Sequence, residues 1–281
     1  MHIKADLHVH TRASDGDLDP AEIVSQALYS GLDAVAVTDH DTVTGTVEAL
    51  EAARGLGIEV IAGVEISAVF EPGTLHILGY FPSYPEGFEQ VLRPLQEARD
   101  LRYPRIVGKL RQMGIDVSLD DIQEIAGSAQ IGRPHIAKAL IRKGFVRDFE
   151  DAFSRYLAKG RPAYVDKEKM SFSEAIRAIL DHGGVPVLAH PFTLELPKAE
   201  LLSFIRELVD CGLQGIEISY PEHTRAQKRL FAEIAREHGL LVTGGTDYHG
   251  QGHGGLMIGA YGLDKQGLEL FRERLYQKSV Q

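Results

Sequence analysis

Cysteine occurs once in the 281 residues, at Cys211, so no disulfide can form within the chain, and the usage fits a reducing compartment. Long apolar runs are missing as well: nothing approaches the roughly 18 residues that a membrane helix needs. The first residues read as a polar strand rather than a charged stub followed by an apolar stretch, so no secretory signal is expected. The expectation is a cytoplasmic protein that does not enter a membrane. Basic charge is also scarce. Lys and Arg number 30 against 40 Asp and Glu, a net charge of −10, which argues against the basic footprint that a long duplex nucleic acid requires. A small phosphorylated ligand stays compatible, because bound divalent cations can reverse the local sign of a site. No internal repeat or low-complexity tract is present. A chain of this length can form one large α/β domain, or one carrying a smaller insertion.

What is present is a rhythm of short apolar segments followed by amphipathic ones. Strand-like runs are IKADLHVH (ending at His10), AVAVTDHD (Ala34–Asp41), EVIAGVEIS (Glu59–Ser67), TLHILGYF (Thr74–Phe81), VPVLAHPF (Val185–Phe192), GIEISYP (Gly215–Pro221) and LVTGGTDYH (Leu241–His249). Several are nearly continuous in apolar residues over their first half, as parallel strands covered on both faces are. Helix starts are marked between them. DPAE sets Asp19 as N-cap, Pro20 at the first helical position and Glu22 to close a capping box, and SFSE repeats the device at Ser171 and Glu174. Alternation of this kind implies βαβ units in a parallel sheet, and seven or eight strands favour closure into a barrel. The rhythm breaks between about Glu86 and Arg161, where only helical periodicity is visible. This predicts a barrel formed by residues 1–85 and 162–281, with an all-helical insertion at 86–161 placed to cap a site.

The polar residues at the ends of those strands carry the chemistry. The first strand and its loop hold His8, His10 and Asp15; later ones hold Asp39 and His40, Glu65, His76, His190, Glu217, then Asp247 and His249. In parallel α/β folds the loops after the strands form the site, so residues scattered along the chain would converge at one mouth. Residues i and i+2 of a strand point to one face, which lets His8 and His10 bind one ion together, and likewise Asp247 and His249. Imidazole with carboxylate suits manganese, iron or zinc better than calcium. So many candidate ligands exceed one ion and predict a cluster of two or three.

Each residue has a plainer reading. A lone His76 or His190 is more often a core histidine, Asp15 alone a turn residue, and Asp39 and Glu217 serve equally as hydrogen-bonding supports for ligands. Collectively the plain reading fails, because burying Asp15, Glu65 and Asp247 without cations would be strongly unfavourable. Cys211 reads as structural, and Arg12 as a solvated loop residue.

DLHVHT, SDG, TDHD, GVEIS, LHILGY, LAHP and GTDYH, in that order, resemble the PHP (polymerase and histidinol phosphatase) family. The match covers roughly Met1–Tyr84 and Pro162–Tyr261. GRPHIA, KGRPAYV and IEISYPEHT narrow the resemblance to its stand-alone, TrpH-like phosphoesterases. The resemblance implies a distorted (β/α)7 barrel and a site of two or three divalent metals, with manganese foremost and iron or zinc as substitutes. It implies one metal on His8, His10, Glu65 and Asp247, a second on Glu65, His76 and His190, and a third on Asp15, His40 and His249. It further implies hydrolysis of the 3′-phosphate of nucleoside 3′,5′-bisphosphates, and of short 5′-phosphorylated RNA, by a metal-bridging hydroxide. Glu65, Asp247 and His249 form the expected catalytic core, with His223 a candidate acid and a surface residue as its plainer reading. Arg133, His135 and Arg161 are the expected phosphate contacts. The alternatives are a histidinol-phosphate phosphatase and a metal-binding module without activity.

Overall fold

Seven strands form one sheet in chain order: β1 (Ala5–Val9), β2 (Ala34–Val37), β3 (Glu59–Ala68), β4 (Leu75–Phe81), β5 (Val185–Leu188), β6 (Gly215–Ser219) and β7 (Leu241–Gly244). The computed structural model describes residues 2–127, 131–166, 169–250 and 256–277. The sheet nearly closes on itself. Past the end of β7, Asp247 N donates to the His8 carbonyl at 2.8 Å, and His10 N donates to the Tyr248 carbonyl at 2.9 Å. All seven strand-like runs of the sequence are therefore strands of a (β/α)7 barrel, and their polar tails are the loops beyond.

One expectation is corrected. The sheet is not parallel throughout, because β4 runs antiparallel to both β3 and β5. Only residues 69–74 join β3 to β4, too short a link for the crossover of a dozen or more residues that parallel pairing needs. The reversal has a consequence for the site. His76 lies opposite Ser67, at the beginning of its strand, and so shares a mouth with residues that end the parallel strands.

Helices surround the sheet. α1 (Pro20–Tyr29) starts as its sequence predicts, with Asp19 N donating to Glu22 Oε2 at 2.8 Å. α7 (Phe172–Asp181) has Ser171 Oγ accepting from Glu174 N. With α2 (Thr44–Ala52), α8 (Lys198–Asp210), α9 (Arg225–His238) and α10 (Lys265–Tyr276) they pack the strands in three adjoining apolar clusters. Among the described residues, no helix is long and apolar enough to cross a membrane.

Between β4 and β5 come α3 (Phe88–Gln112), α4 (Leu119–Ala126), α5 (Arg133–Arg142) and α6 (Phe149–Ala152), the last continued by a π-helical turn over Phe153–Leu157. They enclose a core of their own, including Ile106, Leu110, Val117, Ile122, Ile136 and Leu140. The long α3 belongs to both bodies. Phe88, Leu92 and Leu95 join the barrel's apolar cluster, whereas Ile106, Val107 and Leu110 join the insertion's. Its middle, carrying Arg99 and Arg102, crosses the gap between the two cores and faces a cavity.

Candidate metal centre

Glu65 sits at the middle of the site, 1 % exposed, with imidazoles on both oxygens. Oε1 is 2.7 Å from His76 Nδ1 and 2.8 Å from His190 Nε2, while Oε2 is 2.9 Å from His40 Nδ1 and 3.2 Å from His10 Nε2. His8 Nε2 lies 3.5 Å from the same carboxylate. Alternation along β1 turns His8 and His10 to one side, where both reach Asp247 Oδ1, at 3.3 and 3.0 Å. Asp15 Oδ1 faces His249 Nε2 at 3.4 Å and His10 Nδ1 at 3.9 Å.

The donor atoms fall into three constellations, each within 4.8 Å: His8, His10, Glu65 and Asp247; His40, Glu65 and His76; and His10, Asp15, His40 and His249. The first is the set implied by the resemblance. The other two differ in detail, since His10 and His40 are each shared, and His190 joins through its contact with Glu65. The structure thus gathers all nine expected ligands but does not divide them cleanly among ions.

Cations fit this arrangement. His8 Nε2, both ring nitrogens of His10, His40 Nδ1, Asp15 Oδ1 and Asp247 Oδ1 are buried and crowd one another at 2.9–3.9 Å without well-aligned hydrogen bonds, although buried polar atoms are almost always paired. Electrostatics keeps the carboxylates ionised. Burial raises the Glu65 carboxyl, but His76, His40 and His8 outweigh it and hold it well below the usual range. Asp15 and Asp247 are lowered for the same reason. His249 moves the other way, its burial overridden by Asp15 and Asp247, which raise it to about 10. Burial lowers His76 to about 4.

Supporting contacts fix these side chains. Glu217 Oε1 lies 3.1 Å from His8 Nδ1, leaving Nε2 for the centre, and its Oε2 accepts from His190 N at 2.9 Å. Glu217 is thus a support. Among the described residues Asp39 orients no histidine: its Oδ1 accepts from Thr11 N and Ser14 Oγ, at 2.8 and 2.6 Å, and its Oδ2 from Thr11 Oγ1 at 2.7 Å. It clamps the loop that carries Asp15. That loop folds back tightly, because a Cβ on Gly16 would lie 2.5 Å from the His10 carbonyl oxygen. His190 and Asp247 hold left-handed backbone, φ 24° and 51°, the kind of local strain that clusters at functional sites.

Three contributors escaped the sequence reading. Asp6 accepts from Thr246 N, Thr246 Oγ1 and Gly259 N and ties β1 to the Asp247 segment, and burial raises its carboxyl to about 6. An acid inside the apolar run ADLHV was its only signal. Tyr220 Oη donates to Asp247 Oδ2 at 2.9 Å. Arg99 Nε donates to Asp41 Oδ2 at 2.8 Å, linking α3 to the residue after His40.

Above the centre lies a cavity of about 790 Å³, floored by expected ligands such as His40, His76 and Asp247 and walled by Arg99, Arg102, Arg133 and Tyr164. The other expected phosphate contacts lie elsewhere. Arg161 is exposed and does not line the cavity. His135 is buried outside it, its Nδ1 accepting from Gly132 N at 3.0 Å, so it helps start α5. His223 is neither exposed nor in the cavity. It is buried among Phe192, Tyr220 and Phe231, with Nδ1 donating to the Ile218 carbonyl at 3.0 Å. Arg12 is held in its own loop by Asp19 and the Asp17 carbonyl, and Cys211 is a half-buried free thiol at the end of α8.

Residues 6–165 match the model of the PHP domain. The chain is a member of the PHP family. It is 34 % identical over 257 residues to a 3′,5′-nucleoside bisphosphate phosphatase of Chromobacterium violaceum, covering 90 % of each protein. It is 34 % identical over 251 residues to a 5′-3′ exoribonuclease of Haemophilus influenzae, covering 89 % of this chain and 91 % of that one. A Bifidobacterium adolescentis structure assigned as a metal-dependent phosphoesterase superposes with a TM-score of 0.89 at 32 % identity, covering 99 % of this chain and 97 % of that one. This PHP protein is accordingly a metal-dependent phosphoesterase whose clustered histidines and carboxylates suit divalent metals.

Proposed function

We propose that the protein removes the 3′-phosphate of nucleoside 3′,5′-bisphosphates, and acts through the same site on short 5′-phosphorylated oligonucleotides, in the cytoplasm. One observation carries this reading: the cavity joins a floor of metal-ligand side chains to a guanidinium-lined wall supplied by the insertion. A substrate with two phosphates meets both, whereas a single phosphate meets only one. The relatives named as a bisphosphate phosphatase and an exoribonuclease support it.

The nine ligands are read as holding two or three ions, manganese foremost, with iron and zinc as substitutes. Such ions, when bound, supply Lewis acidity toward phosphoryl oxygens and an acidified water. Glu65, Asp247 and His249 position the reacting phosphate by holding that charge in place, and Glu217 and Tyr220 hold His8 and Asp247. Arg133 reaches for the phosphate that is not cut. Residues 86–161 act as a cap that excludes long duplexes from the floor. His223 is not assigned the acid's role, because it does not reach the cavity.

The test is phosphate release from adenosine 3′,5′-bisphosphate, 3′-AMP, 5′-AMP and histidinol phosphate, and mononucleotide release from a 5′-phosphorylated dinucleotide, with Mn²⁺ added. The bisphosphate should be the best substrate, released as 5′-AMP. Equal or faster turnover of histidinol phosphate would sink the proposal, and no turnover of any member would leave a metal-binding module.

A further inference from the structure

Different parts of the molecule brace the two sides of the centre. Around His8, His10 and Asp247 the supports belong to the barrel: Glu217 contacts His8, Tyr220 contacts Asp247, and Asp6 holds the segment that carries Asp247. Around Asp15, His40 and His249 the insertion takes part. Arg99 of α3 is paired with Asp41, the residue after His40. From the other side, Lys138 of α5 forms an ion pair with Asp17, two residues beyond Asp15. Among the described residues this is the one ion pair between the insertion and the loop that follows β1.

Asp17 joins three segments at a single residue. Its N–H donates to the His249 carbonyl at 2.9 Å, its own carbonyl accepts from Arg12 Nη2 at 2.5 Å, and its carboxylate meets Lys138 Nζ. The backbones carrying Asp15 and His249 are thereby tied together, and the two side chains face each other at 3.4 Å. The fit is close. A Cβ on Gly250, where φ is 126°, would overlap the Asp17 carboxylate, and a Cβ on Gly132, the N-cap of α5, would lie 3.2 Å from Asp15 Oδ2. Lys138 does not line the cavity, so it is not placed to touch substrate. Ile136, Ala137 and Leu140 of the same helix pack in the insertion's core, and that core fixes where the lysine stands.

The pair keeps 22 % of the lysine side chain and 32 % of the aspartate side chain exposed, and ion pairs this accessible contribute little to folding. Its leverage is positional, because the partners behind a metal ligand set the ligand's orientation and hence its affinity. We propose that Lys138 is a positioning residue: through Asp17 it holds Asp15 and His249 in register for a cation, so that this side of the centre loads only with the insertion docked. The inference rests on the reading of the nine ligands as a centre of two or three ions. It adds that the ions depend on different parts of the chain. The group of His8, His10, Glu65 and Asp247 needs the barrel alone, whereas that of Asp15, His40 and His249 needs the insertion as well.

The test titrates Mn²⁺ calorimetrically into the full chain, stripped by chelator, and into its Lys138→Met, Lys138→Arg, Asp17→Asn and Asp17→Asn/Lys138→Met variants. Lys138→Met should weaken one class of Mn²⁺ site by about 10- to 100-fold and leave the other within about twofold, while the metal-free thermal melt stays near the native one. Lys138→Arg should restore most of the loss. Adding Lys138→Met to Asp17→Asn should weaken binding no further, because both act through one contact. Unchanged Mn²⁺ binding in Lys138→Met overturns the proposal, as does an equal loss at two or more sites. A native chain with a single Mn²⁺ site that Lys138→Met weakens overturns the reading of two or three ions and leaves the positioning role standing.

Discussion

Replacing Asp39 with Asn tests whether the Asp15 loop is held by charge-assisted hydrogen bonds rather than by packing. Three bonds converge on this buried carboxylate, from Thr11 N, Thr11 Oγ1 and Ser14 Oγ, at 2.8, 2.7 and 2.6 Å. Bonds to a charged group contribute roughly 1.5–3 kcal/mol each and neutral ones roughly 0.5–1.5 kcal/mol. Asparagine keeps the shape, so the loss is about 1 kcal/mol per bond, or about 2–4 kcal/mol in all. Urea unfolding at neutral pH should register that loss. The second readout is metal content. If the loop loosens, the Asp15–His249 position should empty while the group of His8, His10, Glu65 and Asp247 keeps its ion. Gly45→Ala is an independent route to the same state, because its Cβ would lie 2.4 Å from Asp39 Oδ2 and push the carboxylate aside. Full metal content with unchanged stability in the Asn variant would refute the reasoning. A direct Asp15→Ala change is the contrast, since it removes a ligand and leaves the three loop bonds intact.

Other predictions address the centre as a whole and its tie to the insertion. Chelation should strip buried carboxylates and imidazoles of their counter-ions, and returning Mn²⁺ to 100 times its dissociation constant should restore about 2.7 kcal/mol per site. A thermal melt indifferent to chelator and to Mn²⁺ would show that the cluster is not a cation site. Arg99→Met leaves the Asp41 carboxylate buried without its guanidinium and should cost about 3–5 kcal/mol, part of which Asp41→Asn should return in the double variant. If the double variant is no more stable than Arg99→Met alone, measured by urea unfolding, the pair is not what fastens α3 to the barrel.

The fold was legible where local rules govern. The seven strand runs and the capping signals at Asp19 and Ser171 lie in the chain itself, because alternation and capping depend on near neighbours. The direction of β4 was misread for the opposite reason. An apolar run looks the same whichever way it pairs, and only the short link at 69–74 betrays the reversal. Arg161 shares its sequence signature with any phosphate-binding arginine, and only the folded chain shows that it is exposed while Arg99, Arg102 and Arg133 line the cavity. His223 read as a candidate acid or a surface residue in YPEH, yet three aromatic rings, from Phe192, Tyr220 and Phe231, close over it.

The sequence by itself determined the inventory of the centre. Histidine and carboxylate at strand ends, in spacings that share a face, demand cations whatever the details of folding, since so many carboxylates cannot be buried alone. Tertiary structure decided the sharing and the surroundings. Which imidazole meets which oxygen depends on the reversal of β4 and on Asp39 drawing its loop inward. Which arginines face the floor depends on α3 spanning two cores. Those outcomes arise from contacts between residues far apart in the chain, and no local pattern encodes the distance between them.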